Sequence, residues 1–126
     1  MKTPSKVQLH KKSATLEISY AEENFKLSAE YLRVYSPSAE VKGHGPGQEV
    51  LQFGKQNVGL NKIEPMGNYA IRIEFNDGHD TGIFTWEYLY DLGKNHEAHW
   101  QDYLNRLNAA GKSRDSEISA VKIIQP

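Results

Sequence analysis

His79-Asp80 sets an imidazole beside a carboxylate, a pair that could share a metal ion or serve as a base. A solvated hairpin end is the competing reading. An oxygenase iron triad would instead need His-x-Asp and a distant histidine inside a much larger barrel. His96, Glu97 and His99 form a second cluster. A zinc-protease helix needs two histidines four apart with the base beside the first, and here they are three apart. Three-apart histidines can still share a metal on one helix face; otherwise they are surface residues of a first turn. Gly43-His44-Gly45-Pro46-Gly47 has the glycine content of a phosphate cradle. Pro46 removes a backbone donor and no Lys-Ser/Thr follows, so a structural or partner-binding loop is expected. Spacing assembles no Ser/His/Asp set, no paired acids and no complete set of metal ligands.

Composition closes off other chemistry. The 126 residues include no cysteine, which removes disulfides, thiolate zinc sites, cysteine-held clusters and cysteine nucleophiles. The 15 Lys+Arg and 16 Asp+Glu leave a net charge of -1. A nucleic-acid or acidic-membrane binder would carry a strong basic excess, so neither partner is expected. Lys2, Lys6, Lys11 and Lys12 form a local basic arm, read as an anion-binding arm or as the solvated part of a first strand. No apolar run approaches the roughly 18 residues of a membrane span. Met1 to Lys12 lacks the apolar segment of a signal peptide, and the cytoplasm is the expected compartment.

The elements that must position these groups follow from periodicity. Val7 and Leu9, then Leu16, Ile18 and Tyr20, alternate with polar residues as half-buried strands do. Lys11-Lys12-Ser13 and Ala21 to Asn24 are the expected turns of a three-stranded meander that continues through Phe25 and Leu27. Ser28 is placed to cap a short helix from Ala29 to Tyr35, stopped by Pro37. Ser36 to Gln48, with three glycines and two prolines, reads as one long loop. Val58, Leu60 and Ile63 predict a strand ending at Pro65.

The clearest hairpin joins Tyr69, Ile71, Ile73 and Phe75 to Ile83 onward through a tight Asp77-Gly78 turn. With Asn76 opposite His79, Ile71 faces Phe84 and Tyr69 faces Trp86, all four on one apolar face. Gly82 then falls opposite Ile73, where a missing side chain leaves room for a neighbouring element. His79 and Thr81 fall on the other side, with Arg72 and Glu74. Thr85 is placed to cap a helix from Trp86 to Leu92, closed by Gly93 in the left-handed position. Asn95 is placed to cap a longer one, whose Trp100, Tyr103, Leu104 and Leu107 form an apolar stripe that Gly111 ends. The fold class is α+β: a mostly antiparallel sheet of hairpins with the C-terminal helix packed on its apolar face. One domain is expected over residues 1–111. Residues 112–126, polar until Val121, Ile123 and Ile124, are expected to form a flexible or loosely docked tail.

Two stretches carry more than pattern. Tyr31-Leu32-Arg33-Val34-Tyr35-Ser36-Pro37-Ser38-Ala39-Glu40-Val41 with its Gly-His-Gly-Pro-Gly sequel is one, and Gly67-Asn68-Tyr69 through Asp77-Gly78-His79-Asp80-Thr81-Gly82-Ile83 to Trp86 is the other. Together they resemble the gamma-butyrobetaine hydroxylase-like N-terminal domain in a stand-alone form, over roughly residues 5 to 110. Proteins of this family carry the domain ahead of the barrel of carnitine-pathway 2-oxoglutarate oxygenases, or appended to P-loop ATPases of iron–sulfur cluster assembly. In the oxygenases it is non-catalytic and holds a structural zinc through three cysteines and one histidine. The resemblance puts that histidine at His79 and the cysteines at Ser36, Ser38 and Val41, which are poor zinc ligands or none.

The resemblance also implies that the loop from Ser36 lies near His79, within possible reach of His44. A remodelled iron or zinc site of His44, His79 and Asp80 is one expectation. The leading one is a non-catalytic binding or adaptor module, a monomer serving iron or iron–sulfur metabolism. Its partner-binding residues would be Arg33, Tyr35, Ser36, Pro37, His44, Gly45, Pro46 and Gly47. An accessory subunit of a separate 2-oxoglutarate oxygenase is the third reading. No cofactor is certain, and the partner is another protein.

Overall fold

Alternating apolar residues build the first half of the protein, whose computed structural model describes residues 2–115. Strands β1 (Lys6–His10), β2 (Thr15–Ser19) and β3 (Asn24–Ser28) form the expected antiparallel meander. Leu16 and Ile18 pair with Leu9 and Val7 on one side and with Leu27 and Phe25 on the other. Leu16, Ile18 and Leu27 are fully buried on the inner face. The meander runs directly into α1 (Ala29–Val34), where the Ser28 hydroxyl accepts from Tyr31 N–H at 3.1 Å. Every residue of α1 is buried. Tyr31 donates its hydroxyl to Leu92 O at 2.7 Å, tying this helix to a segment 61 residues further along the chain.

The loop after α1 is not structureless. Ser38 caps a short helical turn, α2 (Ala39–Lys42), by accepting from Glu40 N–H at 3.2 Å. Its end is set by Gly43, with φ 76°. Any Cβ there would run into Gln48 O, so the Gly43–Gln48 segment closes tightly on itself.

Strands β4 (Leu60–Met66), β5 (Ala70–Phe75) and β6 (Ile83–Thr85) make a second three-stranded antiparallel sheet, in the order β4-β5-β6. The hairpins thus divide between two sheets rather than joining one. Pro65 does not end β4: it sits inside the strand opposite Ile71. A proline is tolerated there because β4 is an edge, and its missing N–H needs no further neighbour. The register of β5 and β6 is the expected one, with Ile71 opposite Phe84. Ile71, Phe84 and Trp86 are buried, but Tyr69 is 48% exposed because it lies in the turn before β5 starts.

Thr85 caps α3 (Trp86–Lys94) by accepting from Tyr88 N–H at 3.1 Å. Gly93 does not close this helix. It lies within it, and a Cβ there would stand 2.5 Å from the Phe25 ring, so the glycine serves close packing on β3. Asn95 precedes α4 (His96–Ala110) without capping it; its amide donates to Asp91 instead, at 2.8 Å. Gly111, with φ 67°, ends α4 as expected. Tyr103 and Leu107 of α4 pack on Val34 of α1, flanked by Leu51, Trp100 and Leu104. The larger core joins both sheets, α1 and α3. Of the tail, Lys112 to Asp115 are described, whereas Val121, Ile123 and Ile124 lie outside the described residues. Among the described residues no helix is long and apolar enough to cross a membrane.

Candidate functional site

The β5–β6 turn decides what His79 can do. A two-residue type I′ turn needs positive φ at both Asp77 and Gly78. Among the described residues Ala14 is the only non-glycine with positive φ, so Asp77 does not supply it. Instead Gly78 N–H donates to Phe75 O at 3.3 Å and Phe75 N–H to His79 O at 2.9 Å, with Gly78 at φ 93°. The loop is therefore three residues long, and His79 comes opposite Phe75 rather than Asn76. One residue of change moves a side chain to the other face. His79 accordingly lies on the buried side, 5.8 Å from the Phe75 ring, and not beside Arg72 and Glu74. By Gly82 the expected register is restored, since Ile73 N–H donates to Gly82 O at 3.4 Å.

Asp77 anchors that turn from inside. Its carboxylate accepts from Arg33 Nε at 2.9 Å, Lys55 Nζ at 2.8 Å and the backbone N–H of His79 at 3.2 Å. Burial pushes the Asp77 carboxyl up, but these three donors outweigh it and hold it at about 2.

The turn delivers His79 to the α1–α2 segment. Ser36 Oγ lies 2.8 Å from His79 Nε2, and Glu40 Oε1 lies 2.8 Å from His79 Nδ1. Burial and then the Arg33 guanidinium push the imidazole below the ordinary histidine value, against the opposing pull of Glu40. The neutral ring with its proton on Nδ1 satisfies every partner: Nδ1 donates to Glu40 and Nε2 accepts from the Ser36 hydroxyl. Ser36 Oγ in turn accepts from Ser38 N–H at 3.3 Å. A parallel branch runs from Ser38 Oγ to Thr81 Oγ1 at 2.7 Å and from Thr81 to the same Glu40 oxygen at 3.2 Å.

The order Ser36–His79–Glu40 is that of a hydrolase relay, a set that sequence spacing did not assemble. A nucleophile must meet its substrate, however, and Ser36 is 0% exposed beneath Gly82 and Pro37. What this arrangement does is hold: it fastens α2 and the Ser36 segment to the β5–β6 hairpin. A thiolate zinc centre does not fit the residues present. Both His79 nitrogens are engaged, the Ser36 and Ser38 hydroxyls have other partners, and Val41 offers no donor.

The remaining candidate residues are dispersed. His44 is exposed in its loop, and Asp80 turns to Arg72, whose Nη1 donates to Asp80 O at 2.9 Å. Among the described residues no three His, Cys, Asp or Glu side chains gather as metal ligands. His96 packs on the Tyr31 and Trp100 rings, while His99 turns to Asp91 at 3.0 Å. Arg33 is buried against Asp77 and is not available to a partner. Gly45, Pro46 and Gly47 form the outer turn of the loop, where Gln48 N–H donates to Gly45 O.

Tyr35 does line a cleft of about 370 Å³, together with Val34, Val41, Lys42, Glu49, Val50, Asp102 and Arg106, while the fully buried Ser36 lies within its wall. Arg106 forms part of its wall, bonded to Asp102 at 3.0 Å and to the Tyr35 hydroxyl at 3.2 Å. Sequence reasoning missed Asp102 and Arg106 because they arrive from α4, far from Ser36 in the chain, and Val50 because it lies just past the Ser36–Gln48 loop. Val50, in this lining, is 52% exposed.

The family model for gamma-butyrobetaine hydroxylase-like N-terminal domains matches residues 7–90. The chain belongs to this family. One NMR solution structure is 56% identical, covers 92% of each chain and has a TM-score of 0.82. Another is 50% identical over 90% of this chain and 86% of that one, with a TM-score of 0.77. A crystal structure from Acidithiobacillus ferrooxidans, described as a protein with unknown function of the DUF971 family, is 35% identical. It matches over 72% of this chain and 92% of that chain, with a TM-score of 0.60. No curated protein matches the chain.

Proposed function

We propose that this chain is a non-catalytic adaptor module that docks another protein in the cleft between α1, α2 and α4. The observation that carries the reading is the cleft itself, with the apolar Val34, Val41 and Val50 among charged Lys42, Glu49 and Arg106. Large apolar side chains left in water beside a concave, polar-rimmed surface are the usual mark of a protein contact. The exposed Val50 supplies that feature. The Ser36–His79–Glu40 network supports the same reading by fixing one wall of the cleft in advance, which lowers the cost of binding. A cytoplasmic role in iron or iron–sulfur metabolism is the further part of the proposal, and it rests on family analogy. The partner would be a P-loop ATPase of cluster assembly, or the barrel of a 2-oxoglutarate oxygenase.

The test is a titration of isotope-labelled protein with each purified partner. Resonances of Val41, Lys42, Val50 and Arg106 should shift with one of them, and Val50→Asp should abolish the effect. Absence of shifts with both partners, or shifts confined to β1 and β2, would refute the assignment.

A further inference from the structure

Glu30 stands in the first turn of α1 and is 5% exposed. A buried carboxylate is costly unless a cation and hydrogen bonds meet it. Here both come from Arg114, 84 residues away in sequence: Nε donates to Oε2 at 2.8 Å and Nη2 to Oε1 at 2.7 Å. This is the forked geometry that distinguishes arginine from lysine. The same guanidinium lies 5.1 Å from the Trp100 ring centroid, within cation–π range. The backbone of the segment is read as well. Gly54 N–H donates to Ser113 O at 2.9 Å and Gln56 N–H to Arg114 O at 3.0 Å. Two main-chain donors, a buried acid and an aromatic ring thus converge on two consecutive residues, a combination by which grooves recognise peptides.

Arg114 does not fill the space it enters. A cleft of about 590 Å³ remains beside it, bounded by Ser13, Gln56, Asn57, His96 and Trp100. The His96 ring packs on Tyr31 and Trp100. Neither its nitrogens nor the Asn57 amide has a hydrogen-bond partner among the described residues. The Arg114 side chain is 37% exposed, so it reaches the cleft from the mouth and not through the core.

We infer that this cleft is an arginine-reading peptide site, filled in this chain by its own Ser113–Arg114 and open by exchange to an arginine-bearing segment of a partner. The internal ligand is tethered, so its effective concentration is high and a partner must bring additional contacts. The vacant part of the cleft, with the His96 and Asn57 groups, is where those contacts form. The site lies on the His96–Trp100 flank of α4, apart from the Asp102–Arg106 flank of the adaptor cleft, and the two proposals stand or fall separately.

The probe is a capped peptide of sequence Gly-Lys-Ser-Arg-Asp, matching residues 111–115, added to the full chain carrying Arg114→Ala. The Trp100 indole and the Gly54 and Gln56 amides should shift saturably. A peptide with lysine for arginine should bind about tenfold more weakly, because it forfeits a charge-assisted bond. Wild-type protein should also bind the arginine peptide about tenfold more weakly, since its own Arg114 competes. Equal binding of the two peptides, equal binding by wild type and variant, or no binding to a folded variant overturns the inference. Wild-type hydrogen exchange decides the matter even if the variant fails to fold. Gly54 and Gln56 amides should exchange faster than Ile73, by local release of the segment. Exchange as slow as that of Ile73 means the segment never leaves, and the site is then a fixed clasp.

Discussion

Gly82 and Ser36 fit together only because position 82 has no side chain: a Cβ built there would collide with Ser36 Oγ and stand 3.2 Å from Phe84 and 3.5 Å from Pro37. The Ser36 hydroxyl cannot step aside without leaving His79 Nε2, 2.8 Å away.

Gly82→Ala is therefore expected to cost about 1–3 kcal/mol of stability through overpacking. Ser36→Ala in the same chain removes the atom that would be struck. Denaturant unfolding of the two single variants and the double variant should show less than additive loss. Strict additivity would mean that the two residues do not touch.

His79 gives a pH dependence whose sign is fixed. Its folded-state pKa is lowered, by burial first and Arg33 second, so the unfolded chain takes up the proton more readily. The stability it contributes is complete above the ordinary value of 6.5 and is lost as pH falls from there toward the lower folded-state value. Unfolding midpoints should decline as pH falls below about 6.5 in the wild type, and more gently in His79→Gln. Parallel declines would show that His79 is not the group responsible.

Asp77 is the counter-charge for Arg33, a residue 8% exposed whose Nη1 is already buried without a partner. Asp77→Ala should cost about 3 kcal/mol by leaving the guanidinium buried and unpaired. Arg33→Met with Asp77→Asn should recover much of that loss. The Asp77 contribution persists above its ordinary value of 3.8 and fades only as pH falls through about 2. Thermal melts of the three chains at neutral pH provide the check.

Placing cysteines at the three positions that the family resemblance gives them tests whether those positions converge on His79. The chain carrying Ser36→Cys, Ser38→Cys and Val41→Cys should bind one zinc ion with His79, and adding His79→Ala should weaken that binding. Metal analysis after dialysis against zinc measures both. A triple variant that retains no zinc would separate Val41 or Ser38 from the His79 locus.

Much of the scaffold was legible in advance. Alternation marked all three strands of the first sheet, and Ser28, Thr85 and Gly111 bound their helices as their chemistry requires. The pairing of Ile71 with Phe84 and the vacancy at Gly82 also followed from counting along one hairpin. Gly93 misled because glycine near a helix end is normally a cap. Its actual role, room for the Phe25 ring, depends on a residue 68 positions earlier.

The sequence by itself determined the α+β class, the family, the absence of cysteine chemistry and the residues from which a site could be made. The nearness of the Ser36 segment to His79 was implied by the family resemblance, and the tertiary structure decided the other meetings. His79 faces inward because the turn holds three residues instead of two, and a strand's side chains change face with each residue counted. Glu40 and Ser36 reach it across 39 and 43 positions, and Arg114 reaches Glu30 across 84. Local patterns fix elements because their periods are short. Contacts between elements depend on how buried surfaces pack, and no single segment encodes that.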